Sequence, residues 1–153
     1  MITTMPEAYD ISIDSHLRTT INTDLLRRAC IAALKQGKVK RAQIELHVIG
    51  DKRMRAWNNE YLQHDYTTDV LSFDLGSQAE LGLFGMLAVC RPFAQRFAKR
   101  RGISVDEELA RYVVHGTLHL LGFDDHEEDE RAAMWEVQEQ LVANLFKQTK
   151  AKR

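Results

Sequence analysis

Disulfide staples are the first thing this 153-residue chain lacks. Its two cysteines, Cys30 and Cys90, lie far apart and form no Cys-x-x-Cys pair. That excludes a disulfide framework and points to a reducing compartment, the cytoplasm. No run is long and apolar enough to span a membrane, so no membrane partner is expected. The first residues carry Glu7, Asp10 and Asp14 without the apolar run of a signal peptide. An excess of one charge is also missing: 21 basic against 22 acidic side chains leave a net charge of −1, which excludes a protein that is basic all round. Repeats, linkers and low-complexity tracts are absent as well. What remains is 44% apolar and 28% charged, the balance of an ordinary globule. One domain over residues 1–153 is expected, long enough to bury about two-thirds of its unfolded surface.

Tyr9 to Asp14 alternates apolar and polar residues as a half-buried strand does. Asn22 or Thr23 can cap a helix through Leu25, Leu26, Ala29, Ala33 and Leu34, ended by Gly37. Ile44 to Ile49 alternates again, with His47 read as a surface residue of the strand. Gly50-Asp51 opens a second helix through Met54, Trp57 and Tyr61, and Thr68–Phe73 and Phe84–Cys90 read as strands. Pro92 suits the first turn of a helix that stops at Gly102. Ser104-Val105-Asp106-Glu107 is a capping-box sequence that starts the next helix, with Leu109, Val113, Leu120 and Leu121 as core positions. Glu127 to Lys147 is helical in pattern, with Trp135, Val137, Leu141 and Leu145 able to face the core. The order β-α-β-α-β-β-α-α-α predicts an α+β domain: a small mixed sheet of about four strands packed against helices.

Chemistry concentrates in His115-Gly-Thr-Leu-His119-Leu-Leu-Gly122-Phe-Asp124-Asp125-His126. Histidines four apart share a helix face, with Cβ atoms roughly 5–6 Å apart, within reach of one ion. On a continuing helix, at about 1.5 Å per residue, His126 would lie roughly 10 Å further on. The chain must therefore turn, and Gly122 can take the left-handed conformation that closes a helix. Two ligands on the helix and a third on the turn after it, His115, His119 and His126, suit one zinc ion per chain. Gly116 stands where zinc peptidases of the His-Glu-x-x-His type carry their general base, so their peptide hydrolysis is disfavoured.

This segment resembles the His-Gly-x-Leu-His-Leu-x-Gly-Tyr-Asp-His signature of the bacterial YbeY proteins, metal-dependent endoribonucleases implicated in ribosomal RNA maturation. The family's third histidine falls where this chain has Asp125, one residue before His126, so either residue can be the third ligand; His126 is favoured. A second block, Trp57 to Phe73, is similar to the family's Leu-Asn-x-x-Tyr-Arg-x-Lys-Asp-x-Pro-Thr-Asp-Val-Leu-Ser-Phe. It matches at Asn58, Tyr61, Asp65 and Thr68 through Phe73. The arginine implicated in the family's catalysis is Leu62 here, its lysine is His64, and Met86 replaces an acid usual in the later strand. Leucine cannot stabilise phosphate charge, so another cation is recruited or cleavage is poor. Asp69 can orient a ligand imidazole from the second shell or simply satisfy loop amides.

The resemblance implies a zinc-dependent, single-strand-specific endoribonuclease acting on ribosomal RNA, with the small ribosomal subunit as partner. The alternative is a metal-stabilised ribosome-assembly factor that binds RNA without turnover. Two acid-free basic stretches offer phosphate contacts: one holding Lys38 and Arg41, the other Arg91 to Arg101 with Arg96, Arg100 and Arg101. If they form one surface, it flanks the metal cleft. Six carboxylates between Asp124 and Glu130 oppose them.

Overall fold

The computed structural model describes residues 8–78 and 81–151, with side chains described up to residue 147. Glu7 and the ends of the expected 1–153 domain lie outside the described residues. The element order is the expected one: β1 (Ala8–Ser15), α1 (Thr23–Gln36), β2 (Arg41–Ile49), α2 (Asp51–Leu62), β3 (Val70–Asp74), β4 (Leu83–Cys90), α3 (Arg91–Arg101), α4 (Val105–Leu120) and α5 (Glu128–Ala151). The strands form one sheet in the order β1-β2-β4-β3. β1, β2 and β4 are parallel, with Ile11 opposite Ile44 and Leu46 opposite Leu87. β3 returns antiparallel to β4, pairing Ser72 with Leu87. The fold is α+β with a mixed open sheet.

Strand alternation sorts the side chains. Ile44, Leu46 and Val48 of β2 and Leu87 and Val89 of β4 enter a core shared with α1, α4 and α5. On the opposite face Ile49, Leu71, Ala88 and Cys90 meet Met54 of α2, with Trp57 and Phe93 packed at the margin. β4 is therefore apolar on both faces, as a central strand requires. β3 starts later than expected, because the Asp69 carboxylate accepts from the Val70 amide at 2.8 Å and closes off the chain before the strand.

Caps fix the helices. Asn22 Oδ1 accepts from Leu25 N at 3.0 Å and Ser104 Oγ from Glu107 N at 3.0 Å. The reciprocal half of the Ser104 capping box is not made; Glu107 instead pairs with Arg111. Helix α4 buries Leu109, Ala110, Val113, Val114, Thr117 and Leu118, while Leu120 and Leu121 are only partly buried at the core margin. It lies so close to the sheet that a Cβ on Gly116 would come within 2.9 Å of Leu87 Cδ2 and Ser72 Oγ. The glycine after His115 thus lets α4 sit close against Leu87 and Ser72, quite apart from any chemistry.

Helix α5 departs from expectation. Its buried stripe is Met134, Gln138, Val142 and Leu145, with Val137 and Leu141 partly buried beside it. Trp135, expected in the core, is 51% exposed. A polar residue in the stripe hid the true period: Gln138 is buried because its amide finds partners inside.

Candidate metal centre

Glu108, Tyr112, His115 and His119 follow one another at spacings of four, three and four, forming a stripe along α4 at the edge of its buried face. Leu121 ends the helix, and Gly122 takes φ +99°, so the chain turns back where the sequence places the stop. The turn is held from within: Asp124 Oδ1 accepts from the amides of Asp125 at 2.7 Å and His126 at 3.2 Å. From α5, Arg131 Nε donates to the Asp125 carbonyl at 3.1 Å.

This turn delivers Asp125, not the favoured His126, to the histidine pair. Asp125 Oδ2 lies 3.4 Å from His119 Nε2 and 3.7 Å from His115 Nε2, and the two Nε2 atoms are 3.0 Å apart. The His126 side chain is 85% exposed, with Nε2 3.4 Å from Asp124 Oδ1. The physical reason is the turn itself: both amides after Asp124 bind its carboxylate, leaving residue 125 facing inward and residue 126 outward. Among the described residues it is thus the Asp125 carboxylate that stands beside the two imidazoles.

Donor spacing and proton placement both test whether a metal fits. Three donors about 2.1 Å from one ion at tetrahedral angles stand about 3.4 Å apart, and the observed separations of 3.0, 3.4 and 3.7 Å bracket that value. His119 Nδ1 lies 3.0 Å from the Phe123 carbonyl, which can only accept, so that nitrogen carries the proton. His115 Nδ1 lies 2.7 Å from Gln138 Oε1. The Gln138 amide is oriented by its own Nε2, which donates to Glu139 Oε2 at 3.0 Å. With Nδ1 protonated in both rings, both Nε2 lone pairs are free and converge on Asp125. The arrangement is compatible with a metal ion.

A second cluster fails that test. His16 Nε2 and His47 Nδ1 are 2.9 Å apart, with Asp14 Oδ2 at 3.5 and 3.9 Å. His47, expected on the strand surface, is in fact half-buried against His16 and Trp57. Arg53 donates to His16 Nδ1. That tautomer puts the His16 proton on Nε2, toward His47, and occupies the lone pair an ion would need.

Gln138 and Arg111 were not legible as site residues. Arg111 joins α4 to α5, donating to Glu139 at 2.9 and 3.0 Å, to the buried Glu108 at 2.8 Å and to Glu107 at 3.2 Å. Burial alone would raise the Glu139 pKa, but hydrogen bonds from Arg111 and Gln138 outweigh it and hold the carboxyl below its ordinary value. The chain Arg111–Glu139–Gln138–His115 thereby fixes one imidazole.

The remaining expected residues are dispersed. Asp69 accepts from the Val70 amide and the Thr68 hydroxyl, and among the described residues it bonds neither imidazole; the polar side chain at His115 Nδ1 is that of Gln138. Asp69 does line a cleft of about 250 Å³ beside His115, together with Phe97, Arg101, Arg131 and Trp135. Leu62 ends α2, 42% exposed, and does not line this cleft. Neither Arg53, bound to His16, nor Arg55, paired with Asp65, lines it either.

The two basic stretches do not form one surface. Arg41 opens β2 and Arg91 follows the end of β4, which runs parallel to β2, so they lie at opposite ends of the sheet. Lys38 and Arg41 line a separate depression. Arg96 is held by Asp51 through two bonds at 2.8 and 2.9 Å, and Arg100 lies over Phe97. Arg101, over Phe97 and 3.6 Å from Glu108, is the member of these stretches that reaches the cleft.

The chain is similar to known proteins over most of its length. The family model described as "Endoribonuclease YbeY" matches residues 10–146. Endoribonuclease YbeY of Chromobacterium violaceum is 44% identical over 121 residues, covering 77% of this chain and 71% of its own length. The protein of the same name from Xylella fastidiosa strain 9a5c is 34% identical over 134 residues, covering 84% of this chain and 83% of its own. The solution structure of TM1509 from Thermotoga maritima superimposes with a TM-score of 0.66 at 22% identity, covering 93% of each chain, which shows a shared fold.

Proposed function

Because the chain belongs to the endoribonuclease YbeY family, we propose that it is a zinc-dependent endoribonuclease cutting single-stranded RNA, with small-subunit ribosomal RNA as its substrate. The observation that carries the reading is the convergence of His115 Nε2, His119 Nε2 and Asp125 Oδ2, spaced 3.0–3.7 Å apart, at the mouth of a cleft. These three atoms would hold the ion. Two imidazoles and one carboxylate suit zinc and leave a further position open. A dication so held supplies Lewis-acid polarisation of a phosphate oxygen and lowers the pKa of water.

The chain's own residues do the rest. Gln138 and the Phe123 carbonyl keep both Nε2 atoms unprotonated. The carboxylate at 125 cancels one of the ion's two charges, so more of the phosphate charge falls to arginines. Arg101 and Arg131 line the cleft beside His115 and take the part that Leu62 leaves vacant. Arg111 is spent on three glutamates. Oriented charge of this kind acts where negative charge accumulates in the transition state.

The test uses structured small-subunit ribosomal RNA, untagged protein, His119→Ala and a chelator-treated sample. Metal-dependent cleavage with turnover, lost in both controls while the fold persists, is expected. RNA binding without cleavage, combined with a large fall in melting temperature on metal removal, would instead make the ion structural and the protein an assembly factor.

A further inference from the structure

We propose that the cleft beside the histidine pair seats one unpaired nucleobase of the RNA chain, and that Trp135 is its stacking face. The proposal rests on the nuclease reading above and adds where the substrate's base goes. Trp135 is 51% exposed and lines the same cleft as His115 and Asp125. Other exposed aromatic rings are already engaged: Tyr61 packs on Phe73 at 5.3 Å, and Tyr66 stacks on His64 at 5.2 Å. Among the described residues no ring covers the indole of Trp135. A large apolar ring left bare where it lines the cleft beside the histidine pair offers a face to a flat ligand.

The rest of the cleft suits a base. Phe97 forms part of the wall, braced by Phe93 at 5.1 Å and capped by Arg101 at 5.7 Å. A volume of about 250 Å³ falls below the ~300–1,000 Å³ of drug-sized pockets, leaving room for a single flat ring system. At its margin, Asp69 spends Oδ1 on Val70 and Thr68, and among the described residues nothing bonds Oδ2. That oxygen can accept from a base N–H. A base inside a duplex has its faces and edges occupied and cannot enter, so preference for single strands follows from the cleft itself. Arg131 beside the cleft then receives the adjoining phosphate.

Trp135 becomes the sole tryptophan in a Trp57→Phe background, since the chain has two. Zinc-loaded protein is titrated with a single-stranded 2′-O-methyl oligonucleotide, the same strand in duplex, and an abasic strand of equal length. Saturable quenching by the first and little by the others is expected. Trp135→Ala weakens binding and raises KM roughly 5- to 150-fold with kcat and melting temperature unchanged, and Trp135→Phe restores most of the loss. Equal quenching by the abasic strand, or an unchanged KM in Trp135→Ala, overturns the base seat while normal cleavage leaves the nuclease reading standing. Base-dependent quenching with no cleavage of any RNA does the reverse.

Discussion

Gln138→Leu should weaken metal binding about 10- to 100-fold, although Gln138 does not reach the metal position. The bond from His115 Nδ1 to Gln138 Oε1 is 2.7 Å, and Gln138 is 3% exposed, so water cannot replace the acceptor easily. Leucine keeps the volume and removes the oxygen. The imidazole then either leaves a buried N–H unpaired, at about 1–3 kcal/mol, or shifts its proton to Nε2, which cannot coordinate. Loss of such a partner typically costs 10–100-fold in metal affinity, about 1.4–2.7 kcal/mol. The assay is competition against a chromophoric zinc chelator at neutral pH, paired with nitrogen NMR of the histidine rings in metal-free protein. Wild type should show His115 protonated at Nδ1; Gln138→Leu should show a mixture. Gln138→Glu restores the acceptor and should recover affinity, at some cost in stability from the Glu139 carboxylate beside it. Unchanged affinity in Gln138→Leu, with the same tautomer, would refute the argument that α5 sets the ligand state.

Asp125→Ala should drop the co-purifying metal well below one ion per chain, while His126→Ala leaves it in place; metal analysis of untagged protein decides. Gly116→Ala forces a Cβ to within 2.9 Å of Leu87 and Ser72 and should cost ~1–3 kcal/mol, read as a lowered melting temperature. Burial pushes the Cys30 and Cys90 thiols up to about 11, so both should resist thiol reagents at pH 8 until the protein unfolds. Glu139 has a folded-state pKa below its unfolded value near 4.3. Its contribution is therefore present above that value and fades as pH falls through the lowered one. Glu139→Gln should reduce stability by ~1–2 kcal/mol at pH 7 and by progressively less in acid, measured by denaturant unfolding at several pH values.

The order of elements was readable because strand alternation and helix caps are local: Asn22, Ser104 and Gly122 act within a few residues of where they sit. The histidine pair was readable for the same reason. What escaped the sequence was contact between distant segments. The choice between Asp125 and His126 depends on which amides Asp124 captures. Gln138 carried no signal in the sequence because its partners are His115 on α4, 23 residues away, and its own neighbour Glu139. The apolar pattern of α5 alone therefore drew Trp135 inward, although Gln138 belongs to the buried stripe. Whether the two basic stretches share one surface was not readable either, because composition does not reveal that β2 and β4 run the same way.

The close seating of α4 at Gly116 has a kinetic consequence. Two of the three donors ride on a helix pinned to the sheet, with a buried glycine at its contact and no space to rock. The third rides on a short turn hinged at Gly122, where a Cβ would meet nothing within 4 Å. An ion entering the site would therefore meet two donors already fixed and a third that depends on the turn, and both parts would contribute to how tightly it is held. A side chain at residue 122 would be strained at φ +99°, so a change there would disturb the seat of Asp125 and with it both the exchange and the retention of an ion.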